Sequence, residues 1–345
     1  MTTIIDNVQL DYSDVLLQPK RTTLNSRKEA DIIRTFKFKY YKKALSATGV
    51  TVANMATTGT FEMAKTMSKL NAVTCLQKHY SVDEIVEFLK SNDDNSLVFI
   101  STGIKDDEFQ KTCEILDTGL IDKVCVDIAN GYIPNLSQFI NKLREKYGNN
   151  ILIMAGNVVT SDMTQELILN GADLVKIGIG PGSACTTRKI TGIGRPQLSA
   201  VMECADAAHG MNGMICADGG CTCPGDIVKS YAGGADFVMI GGMFAGSDES
   251  AGELIKRDDK ELKLFYGMSS GYAQNKHWGK MNKYRASEGR VVEIPYTGPV
   301  ENTIEEIYGG IRSAMTYIGA RRLKDIPKCA TFYKVNRQLN EIFAK

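Results

Sequence analysis

Residues 151–188 read ILIMAGNVVTSDMTQELILNGADLVKIGIGPGSACTTR. The apolar run 151–155 stops at Gly156-Asn157, residues 163–170 are amphipathic at helical spacing, and 174–177 form a second β-branched run. Period and length predict a strand, a crossover helix and another strand. Parallel neighbours need such a crossover, so this stretch predicts one βα unit of a parallel sheet.

The same alternation runs outward in both directions. Strands are predicted at 49–55, 72–76, 97–100, 123–127, 151–155, 174–177, 213–217 and 237–240. Amphipathic stretches at 61–70, 82–90, 136–146, 163–170 and 197–208 lie between them, and Pro224 can begin a further short helix. Eight such strands, without two halves of different composition, predict an α/β protein folded as a (β/α)8 TIM barrel. A doubly wound open sheet fits less well, because no dinucleotide-type glycine fingerprint follows the first strand. Residues 246–299 interrupt the rhythm, and the amphipathic 301–320 reads as a delayed eighth helix. The insertion is expected to be a mobile lid at about residues 268–295 on a single domain spanning 1–345.

Polar and glycine residues collect just after the strands, where such barrels carry their chemistry. They include Asn54 and Thr57, Lys78 and His79, Ser101 to Gly103, Asp127, Gly156-Asn157, Asp218-Gly219-Gly220 and Gly241-Gly242. One such residue is usually a cap or turn; a set at every junction predicts a functional rim. After the sixth strand, Ile179-Gly180-Pro181-Gly182-Ser183 leads into Cys185-Thr186-Thr187-Arg188. A cysteine beside hydroxyls, a cation and glycine-rich backbone is in a setting suited to a nucleophilic thiolate. The turns after strands seven and eight suit a phosphate, because glycine lets backbone N–H groups approach an anion. Asp218 would repel phosphate and suits a ribose hydroxyl instead. Cys216, Cys221 and Cys223 lack the paired histidine spacing of a zinc site.

Bulk properties narrow the function further. A net charge of +1 over 345 residues points away from nucleic acid and acidic membrane surfaces as partners. No apolar run approaches the roughly 18 residues that a spanning helix needs. Nine scattered cysteines, an odd number, suit reduced thiols in a cytoplasmic enzyme.

The cysteine loop, Ala217-Asp218-Gly219-Gly220 and Gly241-Gly242-Met243 together resemble the shared signature of IMP dehydrogenases and GMP reductases. Three segments resemble the GMP reductase branch: Gln77-Lys78-His79-Tyr80, residues 265–270 and residues 284–289. There is no room between Met55 and Ser101 for the regulatory CBS-type insert common in IMP dehydrogenases. That resemblance implies NADPH-dependent reductive deamination of GMP to IMP and ammonia, through a thioimidate on Cys185 with Thr187 and Glu288 handling protons. A short IMP dehydrogenase and a catalytically silent nucleotide-binding barrel are the alternative readings.

Carried over by motif, the resemblance assigns GMP to Asp218, Gly219, Gly220, Gly241, Gly242, Gly267, Met268, Ser269, Arg285, Ala286, Ser287, Glu288 and Gly289. It assigns NADPH to Ser26, Arg27, Lys78, Asp127, Ile128, Ala129, Ile179, Gly180, Met268, Tyr284, Arg285, Ser313, Ala314, Met315 and Thr316. It further implies a potassium ion at Gly180, Gly182, Cys185 and Arg188, and a homotetramer. The chain departs from the usual pattern at Ala56, Gln77 and Arg195, where aspartate, histidine and tyrosine are common.

Overall fold

The computed structural model describes residues 3–278 and 286–336. Eight strands close into a barrel: β1 (Val50–Val52), β2 (Val73–Cys75), β3 (Val98–Thr102), β4 (Lys123–Asp127), β5 (Leu152–Val158), β6 (Leu174–Ile177), β7 (Met214–Asp218) and β8 (Phe237–Ile240). Each pairs in parallel with its neighbours, and β8 closes on β1. Helices cover the outside: α1 (Phe61–Lys69), α2 (Val82–Ser91), α3 (Asp106–Asp117), α4 (Pro134–Tyr147), α5 (Ser161–Leu169), α6 (Gln197–Gly210), α7 (Pro224–Ala232) and α8 (Val300–Ile318). The TIM barrel expected from the alternation is therefore the fold.

The two-residue period of a strand divides the core into two layers. Val98, Ile100, Val124 and Val126 face the helices, while Phe99, Cys125, Met154 and Met239 face the barrel interior. An antiparallel hairpin, Arg34–Phe36 with Leu45–Ala47, plugs that interior from the amino ends of the strands. Phe36 lies 4.3 Å, ring centre to ring centre, from Phe237. Sequence periodicity missed the plug because its strands are three residues each.

The insertion after β8 is more regular than its composition suggested. Strands Leu254–Arg257, Lys260–Tyr266 and Val291–Pro295 form an antiparallel sheet, and a helix spans Gly271–Trp278. Lys263, buried beneath this sheet, donates to the carbonyls of Ser247 and Ser250 at 2.6 and 2.7 Å. Buried charge is tolerated where carbonyl dipoles replace water, so Lys263 ties the sheet to the β8 loop.

Candidate active site

The cysteine loop leaves β6 at the carboxyl end of the barrel and enters a single helical turn, Thr187–Thr191. The Cys185 N–H donates to the Gly182 carbonyl at 3.0 Å, closing the turn that carries the thiol. Cys185 Sγ donates to Thr187 Oγ1 at 3.2 Å, and Thr187 Oγ1 donates to Glu288 Oε2 at 2.8 Å. Thiol, hydroxyl and carboxylate thus form one directional chain.

Backbone contacts carry Glu288 to that place. Thr186 N–H donates to the Glu288 carbonyl at 2.9 Å, and Arg290 N–H donates to the Ala184 carbonyl at 3.0 Å. Cys185 and Gly289 form an antiparallel bridge, and Ser270 bridges Gly289 from the other side. Ser287 Oγ accepts from Gly271 N–H at 3.0 Å. Arg290, which sequence reasoning missed, adds two guanidinium bonds to the Ser183 carbonyl at 3.0 and 3.1 Å. This close approach needs glycine: a Cβ on Gly267 would sit 2.7 Å from the Ala184 oxygen. Ala286, Ser287, Glu288, Gly289, Gly267, Met268 and Ser269 therefore gather over the cysteine loop. Tyr284 and Arg285 lie outside the described residues.

The glycine turns also reach the loop. Gly219 has a φ of +90°, and a Cβ there would fall 3.1 Å from Gly182 N. A Cβ on Gly242 would meet Ser183 Oγ at 3.0 Å. The Asp218-Gly219-Gly220 and Gly241-Gly242 turns thus converge beside Ser183, leaving a backbone-lined notch that side chains would fill.

Beneath the notch lies a polar cluster. Lys176 sits on the inward face of β6, 1 % exposed, with its Nζ 2.5 Å from Asp127 Oδ1 and 3.1 Å from Asp218 Oδ2. Asn54 donates to Asp127 at 3.1 Å, and Asn157 donates to Asp218 at 2.8 Å. Burial works against the lysine's charge, but the Asp127 and Asp218 carboxylates outweigh it and hold the ammonium well above the usual range. Burial also works against the Asp127 charge, and Lys176 reverses that, lowering its pKa. A lysine in the middle of an apolar strand was the available sequence signal, and the motif reading passed over it.

The residues expected to hold NADPH form two groups. Lys78 is 3.7 Å from Glu108, and Lys111 Nζ donates to the Lys78 carbonyl at 2.9 Å. Ile128 N–H donates to the Gly156 carbonyl, and Asn157 N–H donates to the Ile128 carbonyl, each at 3.0 Å, so Asp127, Ile128 and Ala129 adjoin the polar cluster. Near this rim, Thr57 Oγ1, Gln77 Oε1, Ser101 Oγ and Asn157 Oδ1 are buried without a partner. Buried polar atoms are ordinarily satisfied, so these suit a polar ligand such as a nicotinamide nucleotide. Ile179 and Gly180 lie on the cysteine loop itself. In the second group, Ser26 caps the turn Arg27–Glu29, which packs on α8, the helix that carries Ser313, Ala314, Met315 and Thr316. Met315 is wholly buried there.

The carbonyls of Gly180, Gly182 and Cys185 are neutral oxygen donors of the kind that replace potassium's hydration shell. Arg188 runs its side chain along Gly180 and pairs with Asp11 at 2.9 Å, while its carbonyl accepts from Gly192 N–H at 3.2 Å. A guanidinium cannot ligate a cation, so Arg188 could contribute to such a site through its carbonyl alone. The three departures are also accommodated. Ala56 is buried, with its N–H 3.3 Å from Met268 Sδ; Gln77 N–H donates to the Gly59 carbonyl; Arg195 pairs with Glu203 at 2.5 Å and bonds Gln9 and the Val159 carbonyl.

Comparison with known proteins supplies the family. The family model described as "IMP dehydrogenase / GMP reductase domain" matches residues 9–341. The chain is 52% identical to mouse GMP reductase 2 over 343 residues, covering 99% of this chain and 98% of the relative. It is 51% identical to human GMP reductase 1 over 346 residues, covering all of both chains. Identity to a GMP reductase of Escherichia coli O139:H28 is 51% over 343 residues, 99% of each. With the barrel, the cysteine loop and the glycine turns in one frame, and with a match along nearly its whole length, the chain belongs to the IMP dehydrogenase / GMP reductase family.

Proposed function

We propose that this protein reduces GMP to IMP and ammonia with NADPH, in purine nucleotide salvage and interconversion. The observation that carries the reading is the chain from Cys185 through Thr187 to Glu288, at 3.2 and 2.8 Å. The relatives' names support the choice of substrate.

The donor order gives the proton's route. Cys185 passes its proton to Thr187 as Thr187 passes its own to Glu288, leaving a thiolate to attack C2 of the guanine. A C–S bond forms and the C2 amino group must depart, which an amine does only when protonated. Glu288 returns the proton through Thr187, so the cysteine's proton leaves on ammonia and a thioimidate remains. NADPH, when bound, supplies the hydride that C2 requires. Breaking the C–S bond then releases IMP and the thiolate, which regains a proton from solvent. Asp218 orients the ribose, the paired glycine turns hold the phosphate, and residues 286–290 keep water from the adduct. Lys78 and Asp127 to Ala129 would hold the cofactor, and Ser26, Arg27 and residues 313–316 are the further residues assigned to it. The carbonyls of Gly180, Gly182 and Cys185 would hold a potassium ion, whose charge would order the cysteine loop.

The same reading takes the chain as one catalytic domain with a lid and no regulatory insert, assembled as a cytoplasmic homotetramer whose mass light scattering would report. The decisive assay mixes enzyme with GMP and NADPH. NADPH should be consumed with stoichiometric ammonia, and denatured-protein mass spectrometry should find a purine adduct on Cys185. Oxidation of IMP with NAD to XMP, with no GMP reduction, would show the dehydrogenase reading to be correct. Cys185→Ala should abolish turnover; unchanged activity would remove the nucleophile from the mechanism.

A further inference from the structure

Among the described residues, Lys176 is the one whose ammonium pairs with both Asp127 and Asp218. Its ammonium, on the inward face of β6, reaches Asp127 at the end of β4 and Asp218 at the end of β7. Each carboxylate has a second, private donor: Asn54 for Asp127 and Asn157 for Asp218. The cluster is therefore a bridge with two arms rather than two independent pairs. One ammonium on one side chain holds both carboxylates, so a shift of either one moves the donor that the other receives.

We infer that Lys176 is a positioning residue that couples the nucleotide and cofactor subsites through its shared hold on Asp218 and Asp127. This rests on the function proposed above, in which Asp218 meets the ribose of GMP and Asp127 faces NADPH. Lys176 touches neither ligand in this account. It sets the orientation and acceptor strength of the two carboxylates, so a change at one is felt at the other. Its 1 % exposure matters, because water does not screen charges packed at 2.5 and 3.1 Å as it screens surface pairs. Lysine deleted from this place leaves two carboxylates facing each other without a counter-ion, which is the costly way to break a buried pair.

The test measures equilibrium binding of GMP alone and of NADPH alone to the intact protein, beside steady-state kinetics. Lys176→Met should weaken both ligands, each by about 5- to 150-fold, the span of ordinary coupling free energies. Lys176→Arg, which keeps the charge, should recover part of both losses together. Asn54→Ala, which removes the second donor of Asp127 alone, should weaken NADPH more than GMP. Loss of a single ligand in Lys176→Met, or Lys176→Arg behaving like Lys176→Met, would overturn the coupling. If Lys176→Met fails to fold, Asp127→Asn decides. It frees Lys176 to commit wholly to Asp218 and should weaken GMP binding severalfold in the absence of cofactor; unchanged GMP affinity overturns the inference. Wild-type protein that binds neither GMP nor NADPH would instead defeat the proposed function, a result distinct from a wild type that binds both while the variants fail to couple.

Discussion

Thr187 sits between a thiol and a carboxylate, and its hydroxyl accepts from one and donates to the other. Removing the hydroxyl while keeping the branched shape should therefore interrupt proton transfer without emptying the site. Thr187→Val is expected to lower kcat by about 10²- to 10⁴-fold, the usual worth of a positioned acid–base group, with GMP affinity little changed. Thr187→Ser should retain most turnover. Single-turnover kinetics with GMP and NADPH measure both, and a Thr187→Val variant with wild-type kcat would take the hydroxyl out of the relay. Cys185, Thr187 and Glu288 were legible because each lies in a short contiguous motif. Lys176, Lys111 and Arg290 were not, because their importance comes from strands and loops far apart in sequence. Lys111 secures the Lys78 backbone from α3, and nothing next to either residue announces that contact.

The eight barrel strands and most of their helices were readable to within a few residues because period, length and glycine punctuation agreed, whereas α3 was not among the stretches read. Elements outside the barrel followed other rules. The sheet at 254–266 and 291–295 carries charges on its open face, so its alternation is weak in sequence. Its functional consequence lies at its end, where Tyr266 leads into Gly267 and the backbone passes Ala184 and Gly289. A methyl on Gly267 would meet backbone on the cysteine loop, which cannot swing aside as a side-chain tip can. Gly267→Ala should therefore part the 286–290 segment from Cys185. A displacement near 1 Å of a reacting group costs about 10²-fold in rate, whereas overpacking costs only about 1–3 kcal/mol of stability. Turnover should fall far more than the melting temperature does. A variant with unchanged kcat would mean that this close approach does not hold Glu288 in place.

At the scale of the molecule, the barrel's two ends use carboxylates for different purposes. The carboxyl end keeps Asp127 and Asp218 around Lys176, while the amino end uses Asp122, Asp173 and Asp236 to fasten the plug. These three residues immediately precede β4, β6 and β8, alternate strands whose inward faces converge on the hairpin. Asp173 accepts from Tyr40 and Tyr41 N–H and from Arg144; Asp236 accepts from Arg34 and His209; Asp122 accepts from the Tyr41 hydroxyl, Lys43 and Lys123. Burial pushes the Asp122 carboxyl up, but Lys123, Lys43 and Tyr41 outweigh it and hold it at about 2, against 3.8 unfolded. A depressed carboxyl pKa contributes stability that is complete above the unfolded value and disappears as pH falls through the folded one; here the difference amounts to about 2 kcal/mol. His209 works in the opposite sense. Its hydrogen bond to Asp236 raises its pKa above 6.5, so its contribution is complete below 6.5 and fades as pH rises through the folded value. Urea unfolding of wild type and Asp122→Asn should therefore show a gap of about 2 kcal/mol at pH 7 that closes between pH 4 and pH 2. His209→Gln should show its deficit below pH 6.5 and approach wild type as the histidine loses its proton. A gap for Asp122→Asn that stays constant from pH 7 to pH 2 would mean that the plug is held by packing around Phe36 rather than by the ionised carboxylates at the barrel's amino end.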